Sequence, residues 1–295
     1  MNPFLTVVTP SFNRAECLKV CYQHLIRQTN KNFIWLIIDD GSTDNTREIV
    51  KKWQTENIIK IDYIYQKNAG KQRAVNNGIK NCTTEMYGFL DSDDYYYDKS
   101  VEIFYKYYLE IKNNPSIAAV VARRSDKDGN YRKFPKIKEN EFIVNFATLQ
   151  SKYDFHAETC VIAKKKCLEQ AMYPVISDKF IPESYMFDKL SQKYNILLID
   201  RALSISEYKN DGLTKQSARL YHNNPYGVFI ALNESCLTNY GFIKNIKNKL
   251  SLLIWMKRKK INESCALKFY DYIFLVVPYL LLSIIKKPSW IFFEK

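Results

Sequence analysis

Two short acidic clusters carry the clearest chemical potential in this chain. Asp91-Ser92-Asp93 follows the apolar run Gly88-Phe89-Leu90, so two carboxylates project from a predicted strand end. Hard oxygen donors in such a place suit a divalent cation, Mg²⁺ or Mn²⁺, and through it a diphosphate. The ion acts there as a Lewis acid and neutralises a departing pyrophosphate without proton transfer. Taken alone, a D-x-D is a weak signal, because an acidic turn at a strand end is also simply a solvated turn. Asp39-Asp40 stands before Gly41-Ser42-Thr43-Asp44 and reads equally well as a tight turn with a helix N-cap at Ser42 or Thr43. Company changes the weighing: Thr9-Pro10-Ser11-Phe12-Asn13-Arg14, the two acidic clusters and the segment from Asn68 to Gly78 occur in one order within about 90 residues.

The elements that must position these residues follow from hydrophobic periodicity. Residues 4–9, 33–38, 59–65, 87–90 and 117–122 read as strands, and 14–29, 43–55, 70–80 and 98–113 as helices. This alternation predicts an α/β domain with a mostly parallel sheet flanked by helices. In such sheets ligands bind beyond the carboxyl ends of the strands, where the polar clusters fall. Further along, a strand is expected over 157–163, a helix over 183–194 and strands over 196–199 and 203–208, with a helical region beyond about 220. No Pro/Gly/Ser linker interrupts residues 1–215, which are read as one domain with halves 1–122 and 123–215; residues 216–295 form a helical C-terminal region.

Composition narrows the class. The 295 residues are 46% hydrophobic and 25% charged with only 8 Gly and 9 Pro, which excludes collagenous, linker-like and mostly disordered chains. A net charge of +13 implies an acidic partner: nucleic acid, anionic lipid or a phosphorylated substrate. Seven cysteines without a C-x-x-C pair suit a reducing cytosol better than a disulfide framework. The N-terminus lacks the basic and long apolar regions of a secretory signal, so the chain is expected to remain cytoplasmic.

Taken together, Val7-Val8-Thr9-Pro10-Ser11-Phe12-Asn13-Arg14, Ile37-Ile38-Asp39-Asp40-Gly41-Ser42-Thr43-Asp44, Asn68-Ala69-Gly70-Lys71, Ala74-Val75-Asn76-Asn77-Gly78 and Asp91-Ser92-Asp93-Asp94 resemble the family 2 glycosyltransferases. These are inverting enzymes of Rossmann-like GT-A fold that use nucleotide-activated sugars. The resemblance covers residues 4–122 closely and 123–215 more loosely. It implies that Thr9, Pro10, Asn13 and Arg14 border the nucleotide and that Asp40, with Asp39 beside it, reads the base. It also implies that Lys71 lies near the base or phosphates, that Ser92 belongs to the nucleotide-sugar site, that Asp91 faces the ribose and metal, and that Asp93 is the direct metal ligand. A carboxylate accepts the N3–H of uracil, which favours a UDP-sugar; guanine also offers N–H donors, so a GDP-sugar stays open. Inversion further needs a carboxylate that deprotonates the acceptor hydroxyl. Relatives take it from a Pro-Glu or Glu-Asp segment, which points to Glu183 after Pro182, with Asp188 about 1.4 turns later as second choice. The bland reading makes Glu183 a helix-dipole partner and Asp188 a wet-face residue.

Weaker signals accompany these. His156 and Glu158 share a strand face, His222 is a remote third metal candidate, and residues 208–214, with Lys209 or Lys215, resemble a segment that folds over the donor diphosphate. Residues 244–295 carry eleven basic against three acidic side chains, about +8 of the net charge. Their apolar stretches, 250–256 and 273–285, are shorter than a spanning helix, and predict peripheral attachment to an anionic membrane at the inner face of the plasma membrane. A buried C-terminal helix is the competing reading. The resemblance thus implies transfer to a glycan or lipid-linked saccharide in bacterial surface polysaccharide synthesis. Two rivals are a nucleotidyltransferase, which lacks its Gly-rich loop here, and a basic nucleic-acid-binding protein, disfavoured by the carboxylate-rich cleft.

Overall fold

The computed structural model describes residues 2–130, 141–153, 159–206, 217–268 and 271. Its strands are β1 (Leu5–Ser11), β2 (Phe33–Asp39), β3 (Lys60–Tyr65), β4 (Met86–Phe89), β5 (Asp94–Tyr96), β6 (Ile117–Ser125), β7 (Glu141–Val144), β8 (Thr159–Lys164) and β9 (Asn195–Ser206). The helices are α1 (Ala15–Ile26), α2 (Thr46–Glu56), α3 (Lys71–Asn81), α4 (Ser100–Ile111), α5 (Phe146–Lys152), α6 (Lys165–Leu168), α7 (Ser184–Ser191), α8 (Ser217–Asn223), α9 (Pro225–Leu237) and α10 (Phe242–Lys259).

The strands form one sheet in the order β3-β2-β1-β4-β8-β6-β9-β5, with β7 added on β9. β1 to β4 are parallel, as are β6 and β9; β8, β5 and β7 run the other way. β2, Phe-Ile-Trp-Leu-Ile-Ile-Asp, is buried at every position, the signature of a parallel strand covered on both faces. Its side chains alternate between two cores. Phe33, Trp35 and Ile37 pack with α1, α2 and α4, whereas Leu36 and Ile38 pack with α3, α5, α6 and α7. The result is the expected α/β layering.

Three details differ from the sequence reading. The strands expected over 196–199 and 203–208 are one bent strand, β9: register shifts against β6 absorb the polar Asp200-Arg201 step, and Arg123 pairs with Asp200 there. β5, β7, α5 and α6 were not expected at all. The run Leu250 to Trp255, read as facing a membrane, contributes Leu250, Leu252, Leu253, Ile254 and Trp255 to a third core with Val228 and Phe229 of α9 and with Ile261 and Leu267. No helix among the described residues is long and apolar enough to cross a membrane. Residues 273–285, His156, Glu158, Lys209 and Lys215 lie outside the described residues.

Candidate functional site

The carboxyl edge of β1 to β4 is stitched by side chains that accept backbone N–H groups. Asn13 occupies the left-handed region with φ 53°, a conformation its short polar side chain tolerates. Its own N–H donates to Ser42 Oγ (2.9 Å), and its Oδ1 accepts from Thr43 N (2.7 Å). Asp44 Oδ2 accepts from Ala15 N (3.0 Å) at the start of α1. Asp39 and Asp40 are both buried. Asp39 accepts from Ser42 N (2.7 Å) and the Tyr63 hydroxyl (2.5 Å). Asp40 Oδ1 accepts from Gln66 Nε2 (2.7 Å) and Ala69 N (2.8 Å), and its Oδ2 from Gly70 N (2.8 Å). Three of the roughly four acceptor sites of the Asp40 carboxylate are therefore filled by the protein, leaving one on Oδ2. This anchorage fixes the loop that launches α3. Gly70 has φ 97°, and a Cβ there would stand 2.0 Å from the Lys179 carbonyl oxygen, so only glycine fits.

Lys71, the first residue of α3, is the centre of the site. Its Nζ lies 2.7 Å from Asp91 Oδ1 and 2.7 Å from Glu183 Oε1, joining two carboxylates separated by 92 residues of chain. Burial opposes the Lys71 charge, but Asp91 and Glu183 outweigh it and hold the ammonium above its usual range. Burial likewise works against the charge of Asp91, yet Lys71 and Arg124 keep its carboxyl below the ordinary value. Asp93 goes the other way, raised by burial and by the neighbouring Asp91 charge. Asp94, in β5, is pushed up to about 7 by burial, with Arg124 pulling down and Asp91 and Asp93 pushing up. Arg124 Nη1 lies 2.9 Å from Asp94 Oδ2. A pocket opens above this cluster, walled by Pro10, Lys71, Asp91, Arg124, Tyr173 and Glu183.

The expected residues divide into those that face this pocket and those that do not. Lys71, Asp91 and Glu183 meet directly. Asp93 belongs to the same electrostatic cluster and senses Arg14 as well as Asp91. Thr9 is fully buried, and its Oγ1 accepts from Trp35 Nε1 (3.0 Å), so its side chain serves the core and Pro10 forms the wall. Ser92 offers its carbonyl to the Cys21 thiol. Asp188 is turned about 140° around α7 from Glu183 and is buried against α9, where it accepts hydrogen bonds from Ser235 Oγ and the Tyr240 hydroxyl. His222 is exposed and 3.1 Å from Lys259 Nζ. Arg124 and Tyr173 were not picked out from sequence. For Arg124 the available signal was a basic pair ending an apolar run.

The oxygen-only donor set of Asp91 and Asp93 suits a hard divalent ion; burial first and the Asp91 charge second raise the Asp93 carboxyl. Among the described residues no group of three or more His, Cys, Asp or Glu side chains is arranged as a metal cage. Water and substrate oxygens would have to complete the shell.

Comparison with known proteins agrees with this architecture. The chain is 34% identical over 149 residues to glycosyltransferase GlyA of Streptococcus pneumoniae serotype 4, covering 50% of this chain and 19% of the relative. It is 37% identical over 106 residues to the uncharacterized glycosyltransferase YibD of Escherichia coli K12, covering 36% and 30%. The matched part spans about a fifth of the length of the first curated relatives. The fold matches S. aureus TarS solved with UDP-GlcNAc, with TM-score 0.64 at 16% identity over 95% of this chain and 81% of that one. It also matches the mannosyltransferase PcManGT of Pyrobaculum calidifontis, solved with GDP-Man and Mn²⁺, with TM-score 0.58 at 15% identity over 99% and 84%. The family model for glycosyl transferase family 2 matches residues 6–170, more than half of the chain. With that match and a GT-A type sheet, the chain belongs to glycosyl transferase family 2.

Proposed function

We propose that the chain is an inverting transferase that moves a hexosyl or N-acetylhexosaminyl group from a nucleoside-diphosphate sugar, with UDP-sugars favoured, to a hydroxyl of a glycan or lipid-linked saccharide. The observation that carries this reading is the pair of 2.7 Å contacts from Lys71 to Asp91 and Glu183. The D-x-D loop and the candidate base thereby face one pocket with a cation between them. In this reading Glu183, more than half exposed and at the start of α7, takes the proton of the acceptor hydroxyl. Asp188 is unsuited, because its carboxylate is enclosed by Ser235 and Tyr240. Asp91 and Asp93 would hold Mn²⁺ or Mg²⁺, which supplies Lewis-acid compensation of diphosphate charge when bound. The Lys71 ammonium is positioned to pair with donor phosphate. The last acceptor site of Asp40 suits one base N–H, while Pro10, Asn13 and Arg14 border the nucleotide. The metal and the nucleotide sugar take support from the ligands solved with PcManGT and TarS.

Setting follows from chemistry. We read residues 1–215 as the catalytic domain and 216–295 as a region that brings it to the cytoplasmic face of the plasma membrane, where a lipid-linked acceptor for surface polysaccharide would be met. The +13 charge also suits nucleic acid, but the pocket is lined by Asp91 and Glu183, and the turn after β1 lacks the Gly-rich loop of a nucleotidyltransferase. Glu183→Gln tests the core of the proposal: transfer should fall on the order of a thousandfold while nucleotide-sugar affinity measured by calorimetry stays near wild type. Turnover preserved in that variant removes Glu183 from the chemistry.

A further inference from the structure

We infer that the N-terminal tip of α10, together with the end of α9, is the surface that docks on an anionic lipid bilayer. This deepens the membrane reading proposed above and rests on it. Phe242 is 81% exposed, Ile243 70%, Leu237 56% and Ile246 37%. Phe242, Ile246, Leu250 and Leu253 lie on one face of α10. That stripe is buried from Leu250 onward, under α9 and the segment carrying Ile261 and Leu267, but its first turn and a half emerges bare. Large apolar side chains clustered at one helix end in this way mark an interaction surface.

Charge says what kind. Residues 238–249 contain three Lys and neither Asp nor Glu. Lys247 is exposed one turn beyond Ile243, in the second turn of α10. Lys244 reaches Gln150 Oε1 at 3.0 Å and sits 4.2 Å over the Tyr240 ring, and Lys249 pairs with Asp271. The helix dipole disfavours cations at an N-terminus. Yet α10 begins with no acidic residue in its first turn. Lys244 and Lys249 are held by contacts within the fold, and the exposed Lys247 is the cation the tip offers to an anionic surface. A protein partner would favour Tyr, Trp, Phe, Met and Arg over Lys, and every cation in residues 238–249 is Lys. Phe, Ile and Leu beside Lys match an interfacial helix whose apolar side chains enter the headgroup boundary while ammonium groups meet lipid phosphate.

The test uses the full chain and sedimentation with vesicles of phosphatidylcholine alone or mixed with phosphatidylglycerol. Wild type should bind only the mixed vesicles. The double variant Phe242→Ser/Ile243→Ser should lose about tenfold or more in affinity, and Lys247→Gln about fivefold, with donor hydrolysis unchanged in both. If the double variant binds like wild type, attachment lies elsewhere in the chain; the tip inference falls while the membrane reading stands. If wild type binds neither vesicle, both fall. If it instead forms dimers in solution that the double variant abolishes, the patch is a self-association face and the lipid assignment is overturned.

Discussion

The carboxyl edge of β1 to β4 and the start of α10 are both surface regions, built by opposite rules. At the sheet edge, Asp39, Asp40, Asn13 and Asp44 each accept a backbone N–H, and most apolar side chains beneath them are inside, with Phe12 and Tyr65 exposed. At the start of α10, aliphatic and aromatic groups point outward and cations occupy the helix end that favours anions. In the first region most loop positions are fixed by hydrogen bonds within the protein, while one acceptor site of Asp40 is left open. The second exposes apolar side chains that nothing in the described residues covers. Pre-organisation at one place and exposed apolar surface at the other are what the proposed chemistry and the proposed docking would each require.

Three substitutions probe that contrast. Gly70→Ala should have the largest effect, because a methyl group cannot share space with the Lys179 carbonyl at positive φ; destabilisation on the order of 3 kcal/mol or more in urea unfolding is expected. An unchanged midpoint would show that the edge is pliable and break the comparison. Asp188→Asn comes second and acts where the two regions meet. Burial first, partly offset by the Ser235 and Tyr240 hydrogen bonds, raises Asp188 from its ordinary 3.8 to about 6. The folded state then binds this proton more tightly than the unfolded chain, so the Asp188 contribution makes stability fall as pH rises from about 4 to about 6 and level off above. The stability of Asp188→Asn relative to wild type should therefore rise across that window, by on the order of 3 kcal/mol. A pH-independent difference would show that the carboxylate is solvated. Phe242→Ser should have the smallest effect, within about 0.5 kcal/mol in free solution. A loss well beyond that would mean that the side chain is already covered without lipid.

Much of the edge was legible because its residues act locally. Asp91-Ser92-Asp93 ends an apolar run, and Asn13-Arg14 and Asp39-Asp40 do the same, so strand ends and polar loops could be read together. What could not be read depends on distance along the chain. The Lys71–Glu183 contact joins residues 112 apart, and no periodicity announces it. The inward turn of Asp188 needed α9, whose Ser235 supplies a partner, and Tyr240 beyond it. β5 is three residues long and, among the described residues, pairs only with β9; it is too short to carry an alternating pattern. For Leu250 to Trp255, apolar content beside Lys257-Arg258-Lys259-Lys260 looked like a lipid-facing run; the same residues fill the third core, and the exposed apolar groups lie one to two turns earlier.

One close approach couples the two regions. Gly227, in the first turn of α9, lies so near the Phe180 carbonyl that a Cβ would stand 1.9 Å from its oxygen, and Asp178 accepts from the N–H groups of Tyr226 and Gly227. Phe180 is three residues from Glu183. The helical end therefore grips the arm carrying the candidate base from behind, with no spacer to absorb a displacement. In the docked state proposed above, a displacement of α9 would therefore be passed to the segment that carries Glu183.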